Sequence, residues 1–330
     1  MKLGLVLGAG GVVGMQYHTG ALHALREVAG VEPDLAEVVV GTSAGSIIGA
    51  LVRTGWTPED LWAFALGTHP AVAALGEEEQ ERRRQAVFTP RFSNPLDLAR
   101  RAVGSAYVLA RTAVRVPAPP VPGFLARHFP GGLFDSGAKE RLAEVLPAAW
   151  PERPTWLVAV DLRTGQRVAL GGPPERRGTD LYRVPPLSLQ EAVRASCAIP
   201  GIYAPVRMGA RTLGDGGAHS TTNLDLLRRT GCDLVVAVAP MAFDPARPPR
   251  RASVLARQRA LRSLQAEARV VRESGAEVLM IRPTKEELAL HGVRLLRPDD
   301  GPAIAKAAYE ATARLLETPR FRAALGTSAA

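Results

Sequence analysis

EVVVGTSAGS, residues 37–46, decides how this chain is to be read. The run from Glu37 to Val40 predicts a strand buried on both faces, Gly41 to Gly45 a tight turn, and about Ala44 to Arg53 a helix. The turn spells G-x-S-x-G, once in the chain. A strand that turns sharply into a helix holds its turn residue in a strained conformation with the side chain standing clear. Small neighbours are needed there, and Gly41 and Gly45 supply the room around Ser43. The helix N-terminus favours a developing alkoxide on that serine. A plain helix-capping turn is the competing reading of the same residues. Strand before and helix after favour a nucleophile.

Outward from that turn, MKLGLVLGAGGVVG, residues 1–14, runs an apolar strand (Leu3 to Leu7) into glycines. A helix follows over Gly14 to Val28, with Tyr17, Ala21, Leu22 and Leu25 at helical spacing. Dinucleotide-binding domains begin this way, with a pyrophosphate at the helix N-terminus. So do hydrolases that build an oxyanion hole from backbone N–H groups. Nicotinamide binding calls for an acid near the end of the second strand, on the ribose. Here that end carries Gly41, Thr42, Ser43, Ala44 and Gly45. An NAD(P)-binding oxidoreductase therefore stands as the alternative, alongside a non-catalytic membrane-binding module.

The 330 residues suffice for one large α/β domain, and 46% hydrophobic with 22% charged residues is an ordinary globular balance. The formal charge of +9 is carried mostly by arginine. It favours anionic partners, although the arginines are spread widely. With no recognised motif or aromatic platform, nucleic acid is not an expected partner. Cys197 and Cys232 belong to no ligand cluster, so neither a metal site nor a disulfide framework is expected. The apolar start is broken by Gly4, Gly8, Gly10 and Gly11 and has no clear cleavage site, unlike a signal peptide. No stretch of about 18 to 20 uncharged apolar residues suggests a membrane span. The expected location is cytoplasmic, with peripheral contact to membrane as an option.

Further strands are predicted at Thr155–Val160, Arg167–Leu170, Val206–Met208, Arg211–Leu213, Leu234–Val238 and Glu277–Ile281. Helices are predicted at Leu187–Cys197, Asp225–Arg229 and Ser253–Ser274. This alternation predicts an α/β fold with a mainly parallel central sheet flanked by helices on both faces. One domain over 1–330 is expected, with a helical, basic insertion at about 67–132 and a helical C-terminal extension at about 302–330. Within the insertion Leu98, Val103, Tyr107, Val108 and Val114 line one side of a helix, with Arg100, Arg101, Arg111 and Arg115 elsewhere. An apolar face packed on the domain is the commoner arrangement; a lid or a helix resting on anionic membrane is the other.

Ser43 needs a base. His69 and His128 fall in the insertion, and His219 is only four residues from Asp215. His291 is a possible partner whose surroundings read as surface or core. In MGARTLGDGGAHSTTNLDLL, residues 208–227, Asp215 stands between a strand and two glycines, which bend the backbone and present the carboxylate.

A glycine loop (GAGGVVG, 8–14), GTSAG (41–45) and DGG (215–217), in this order, resemble the patatin-like phospholipase family. EAVRASCAIPGIYAPV, residues 191–206, resembles its A-S-x-A-x-P segment, and TWLVAVDLRTGQRVAL the strand pair before it. The likeness spans about residues 1–66 and 133–240. It implies a three-layer fold and a metal-free, cofactor-free serine acyl hydrolase acting on lipid esters: a phospholipase A, lysophospholipase or lipid esterase. It implies a Ser43–Asp215 dyad and an oxyanion hole from Gly10, Gly11 and Val12. The chain departs from the family at Val13, where Arg or Lys is common, and at AHSTTNL after D-G-G, where Asn223 is the nearest equivalent of the family's asparagine. A strict phospholipid preference therefore does not follow from the first loop.

Overall fold

The computed structural model describes residues 1–76, 78–79, 82, 88–114, 131–172, 176–177, 180–183, 187–246, 254–292, 294–296 and 300–326. The strands are β1 (Leu3–Leu7), β2 (Val38–Thr42), β3 (Thr89–Pro90), β4 (Phe134–Asp135), β5 (Thr155–Asp161), β6 (Arg167–Leu170), β7 (Arg176–Arg177), β8 (Asp180–Arg183), β9 (Val206–Met208), β10 (Arg211–Asp215), β11 (Leu234–Val238) and β12 (Glu277–Ile281). The helices are α1 (Gly11–Ala29), α2 (Ala44–Arg53), α3 (Pro58–Ala65), α4 (Pro70–Ala73), α5 (Pro95–Val114), α6 (Ala138–Val145), α7 (Leu189–Ser196), α8 (Val254–Glu273), α9 (Lys285–His291), α10 (Gly301–Leu316) and α11 (Pro319–Leu325). Two compact units divide them. One holds Met1–Ala74, Pro151–Thr155 and Ser220–Ala330; the other holds Leu75–Trp150 and Trp156–His219.

The first unit is built on parallel strands in the order β12-β11-β1-β2. Leu5 of β1 faces Val236 on one side and Val39 on the other. Every residue of β2 and of β11 is buried. Because successive side chains point to opposite faces, burial at every position means both faces are covered. Sequence and structure agree on β1, α2, β11 and β12 to the residue. Helix α1 begins at Gly11, three residues before the apolar periodicity, because glycines contribute no stripe and little helix propensity.

The expected C-terminal extension is a structural part of this unit. Helix α10 buries Ile304, Ala305, Ala308 and Leu316, and it crosses α1 at Gly20. A Cβ on Gly20 would overlap the Ala305 carbonyl and stand 2.8 Å from the Tyr309 nitrogen. Only a missing side chain lets the two backbones approach so closely.

The second unit carries the antiparallel pairings. β5 pairs antiparallel with β6 and with β10, and Asp215 lies opposite Ala159. β9 and β10 form a hairpin turned at Gly209, whose φ is 56°. β6 runs parallel to β8, and β7 folds back on β8, a strand pair the sequence patterning does not reveal. The α/β class with flanking helices is thus as expected, with β12, β11, β1 and β2 parallel in the first unit and β6 parallel to β8 in the second.

Helix α5 corrects the expectation for the insertion. Among its described residues the buried ones are the small Gly104 and Ser105, the latter accepting the Gly132 N–H at 3.0 Å. Leu96, Val103 and Tyr107 are 72, 56 and 45% exposed. Val108 also turns inward, its side chain 3.3 Å from where a Cβ on Gly131 would stand, whereas Leu96, Leu98, Val103 and Tyr107 are turned outward. Arg101 is half-buried and paired with Asp97 at 3.1 Å, whereas Arg100 is exposed. Arg111, Val114 and Arg115 have no described side chains, and 77, 80–81, 83–87 and 115–130 of the insertion lie outside the described residues. Among the described residues no helix is long and apolar enough to cross a membrane.

Candidate active site

Ser43 stands between β2 and α2 with φ 54° and ψ −119°. A non-glycine residue at positive φ costs about 1–3 kcal/mol and persists only where its surroundings hold it. Here the hold is local and tight. Ser46 donates both its hydroxyl (2.6 Å) and its N–H (2.8 Å) to the Ser43 carbonyl. A Cβ on Gly41 would stand 2.6 Å from the Gly45 carbonyl oxygen, and one on Gly45 would overlap the Leu7 carbonyl. Both glycines are required by space, as G-x-S-x-G anticipates.

The glycine loop abuts this elbow. Gly45 donates its N–H to the Gly8 carbonyl at 3.2 Å, and a Cβ on Gly14 would be 3.3 Å from that of Ala44. The N-termini of α1 and α2 therefore lie side by side, and neither has an acid in its first turn. Without an acid of their own there, their partial positive charges suit a developing anion. Amides on both sides of the loop are committed: Gly8 N–H to Val238, Ala9 to Thr221, Val13 to Leu295 and Gly14 to Gly10. Among the described residues, the N–H groups of Gly10, Gly11 and Val12 have no acceptor. Val13 is buried, at 1% exposed.

Behind the elbow lies the segment after D-G-G. Asn223, in the left-handed region at φ 53°, donates to the Thr42 hydroxyl at 3.1 Å and to the Ser220 carbonyl at 2.7 Å. Glu267 of α8 accepts from the Thr222 hydroxyl (2.7 Å), the Leu224 N–H (2.8 Å) and the Ser263 hydroxyl (3.0 Å). Burial, with Asp225 nearby, pushes its carboxyl pKa up, against the pull of hydrogen bonds from Ser220, Thr222 and Leu224. Sequence reading passed over Glu267. The signal was there: an acid among Ala260, Leu264, Ala268 and Val271, on the buried side of α8.

Asp215 belongs to the second unit, at the end of β10. It is 5% exposed, and its carboxylate accepts the Gly217 N–H at 2.7 Å. Its own N–H donates to the Ala198 carbonyl at 2.8 Å. A Cβ on Gly216 would overlap the Val158 carbonyl, so the bend after the aspartate needs that glycine.

Residues 5–228, more than half of the chain, match the family model for patatin-like phospholipase. The chain belongs to the patatin-like phospholipase family. The match runs through parts of both units and takes in Gly10, Ser43 and Asp215. Among solved structures, VipD from Legionella pneumophila is 15% identical, with TM-score 0.41, over 96% of this chain and 66% of that one. The type III effector ExoU of Pseudomonas aeruginosa is 17% identical, with TM-score 0.36, over 96% and 53%. Human GIVD cytosolic phospholipase A2, in complex with methyl gamma-linolenyl fluorophosphonate, is 15% identical, with TM-score 0.36, over 99% and 60%. The chain spans between about half and two-thirds of the length of these proteins.

Other candidate groups resolve differently in this patatin-like chain. His291 is 2% exposed, edge-on to Tyr17 with ring centroids 5.6 Å apart. Neither of its nitrogens has a hydrogen-bond partner among the described residues. Burial, with Arg257 adding to it, lowers its pKa to about 3, so it is a neutral core ring. His23, Glu27 and Glu59 bring ligand atoms within 4.8 Å of one another. Arg26 pairs with Glu59 at 2.9 Å and His23 stacks on Trp62, so the cluster reads as an ion-pair network around aromatic rings. Neither Cys197 nor Cys232 is in a disulfide.

A prediction follows for His291. Replacement by leucine removes two unsatisfied polar atoms and is expected to stabilise the protein by about 1 kcal/mol at pH 7, leaving esterase activity unchanged. The gap should widen at pH 5. Below pH 6.5 the unfolded wild type takes a proton that the folded ring refuses, at about 1.4 kcal/mol per pH unit, and leucine has no such term. Urea unfolding of both proteins at pH 7 and pH 5 checks this. A gap that stays constant or shrinks would contradict a neutral, buried His291.

Proposed function

We propose that this chain is a metal-independent serine acyl hydrolase of lipid esters, of the phospholipase A, lysophospholipase or lipid esterase type, with both units serving one hydrolase domain. The observation that carries the reading is Ser43 held at positive φ beside a loop whose Gly10, Gly11 and Val12 amides have no acceptor among the described residues. Ser43 Oγ attacks the ester carbonyl carbon while Asp215 takes its proton. The carbonyl π electrons move to oxygen, and the three amides hold that oxyanion. On collapse the C–O bond to the alcohol breaks, and Asp215 returns the proton to the leaving alcohol. Water then attacks the acyl-enzyme with Asp215 as base again, and Ser43 is released. A carboxylate is a weak base near neutral pH, so the scheme leans on fixed donors, each commonly worth about 10²–10³ in rate.

The test is a fluorophosphonate probe with p-nitrophenyl esters of increasing acyl length. Labelling at Ser43 with turnover supports the proposal. A protein that neither labels nor hydrolyses any ester would sink it.

The lipid is met at an anionic surface through α5. Leu96, Arg100, Val103 and Tyr107 are spaced i, i+4, i+7 and i+11, one exposed face combining apolar and basic groups, as helices resting on such membranes do. A cytoplasmic location peripheral to the membrane fits this face. Co-sedimentation with phosphatidylglycerol-containing vesicles should exceed that with phosphatidylcholine alone. Leu96→Glu with Val103→Glu should weaken it by on the order of tenfold, leaving hydrolysis of a soluble ester intact. Equal sedimentation of variant and wild type would remove α5 from this role.

A further inference from the structure

His18 lies upstream of the nucleophile, on the buried side of α1, and is fully buried. Its Nε2 is 2.7 Å from the Gly8 carbonyl oxygen. A carbonyl can only accept, so Nε2 carries the proton and donates it. The same oxygen accepts the Gly45 N–H at 3.2 Å, which fills both of its lone pairs. One carbonyl thus joins the glycine loop, the elbow glycine two residues after Ser43, and a buried imidazole. The ring stays neutral, because burial lowers its pKa to about 4, so the donor is present and uncharged across the physiological range. Its Nδ1 is buried with no partner among the described residues. Burying an imidazole with one nitrogen unsatisfied is costly, which a merely space-filling side chain would avoid.

We propose that His18 is a positioning residue of the hydrolase site, whose Nε2–H fixes the Gly8 carbonyl and with it the orientation of the loop that presents the Gly10, Gly11 and Val12 amides. This rests on the reading of that loop as an oxyanion hole. The peptide from Gly8 is anchored at three points: its carbonyl by His18 and Gly45, and the amides on either side by Val238 and Thr221. His18 is the only side chain among those anchors; the others are backbone. Removing it frees rotation just upstream of two glycines that resist rotation least. Donors displaced from the oxyanion position lose their effect on the transition state while substrate binding is untouched.

The test uses the full chain with His18→Leu, His18→Gln and His18→Asn. Glutamine places an amide N–H near the position of Nε2; asparagine is one methylene short. On soluble p-nitrophenyl butyrate, with folded protein quantified by the unfolding transition, His18→Leu should lower kcat about 10²-fold with KM within about twofold. Fluorophosphonate labelling should slow in parallel. His18→Gln should recover most of that loss and His18→Asn should not. If leucine prevents folding, the glutamine–asparagine pair decides alone, since both are polar amides differing in reach. Equal kcat in wild type, Gln and Asn proteins would overturn the role, as would a loss shared equally by the two amides. A wild type that neither labels nor hydrolyses removes the acyl hydrolase reading itself, and the His18 role falls with it.

Discussion

Ser43→Ala is expected to abolish fluorophosphonate labelling and to lower kcat/KM on p-nitrophenyl esters by on the order of 10⁴ or more. The hydroxyl is the only atom changed, and the alanine Cβ keeps the place that Ser46 and the flanking glycines define. Unfolding should therefore stay near that of wild type. Asp215→Asn should bring a comparable loss, because an amide accepts no proton from the serine. It should also keep the fold, since its side-chain oxygen still accepts the Gly217 N–H. The double variant should be scarcely worse than either single one, as groups that act as a unit are not additive. Labelling that survives Ser43→Ala places the nucleophile elsewhere. Activity that survives Asp215→Asn assigns the base to another group, and the buried, neutral His291 is not available for it.

Gly45→Ala is the largest effect expected on stability. The new methyl group would overlap the carbonyl of Leu7 in the middle of the parallel sheet and stand 2.8 Å from the Leu7 side chain. Neither can yield without separating α2 from β1, because Leu7 is also in register with Val238 and Gly41. A loss above about 4 kcal/mol is expected, enough to leave the chain insoluble or unfolded at room temperature. Gly76→Ala is the control: nothing lies within 4 Å of the added carbon, and the change should be within about 0.5 kcal/mol. A soluble Gly45→Ala protein with wild-type melting behaviour would mean that α2 does not approach β1 so closely.

Much of this chain is legible because its rules are short-ranged. Continuous valine-rich apolar runs placed β11 to the residue and β2 within two, and the G-x-S-x-G spacing placed Ser43 on a strand-to-helix turn. D-G-G placed Asp215 at a strand end. Where glycine replaced the apolar stripe, at the start of α1, the boundary was missed by three residues. Helix α5 was expected as a helix, but its inward face was chosen by the segment at Gly131 and Gly132, which no periodicity within the helix encodes.

The sequence by itself determined the α/β class, the elbow around Ser43, the glycine loop and the carboxylate at Asp215, because each depends on neighbours within a few residues. Only the tertiary structure decided the supports behind them. His18 reaches back to Gly8 over 10 positions, Asn223 reaches Thr42 over 181, and Glu267 gathers Thr222 and Leu224 from 45 and 43 positions away. Local pattern marks these side chains only as polar groups on buried faces. Which acceptor or donor each one meets depends on how distant segments pack, since a buried polar group must find its partner wherever the fold brings one.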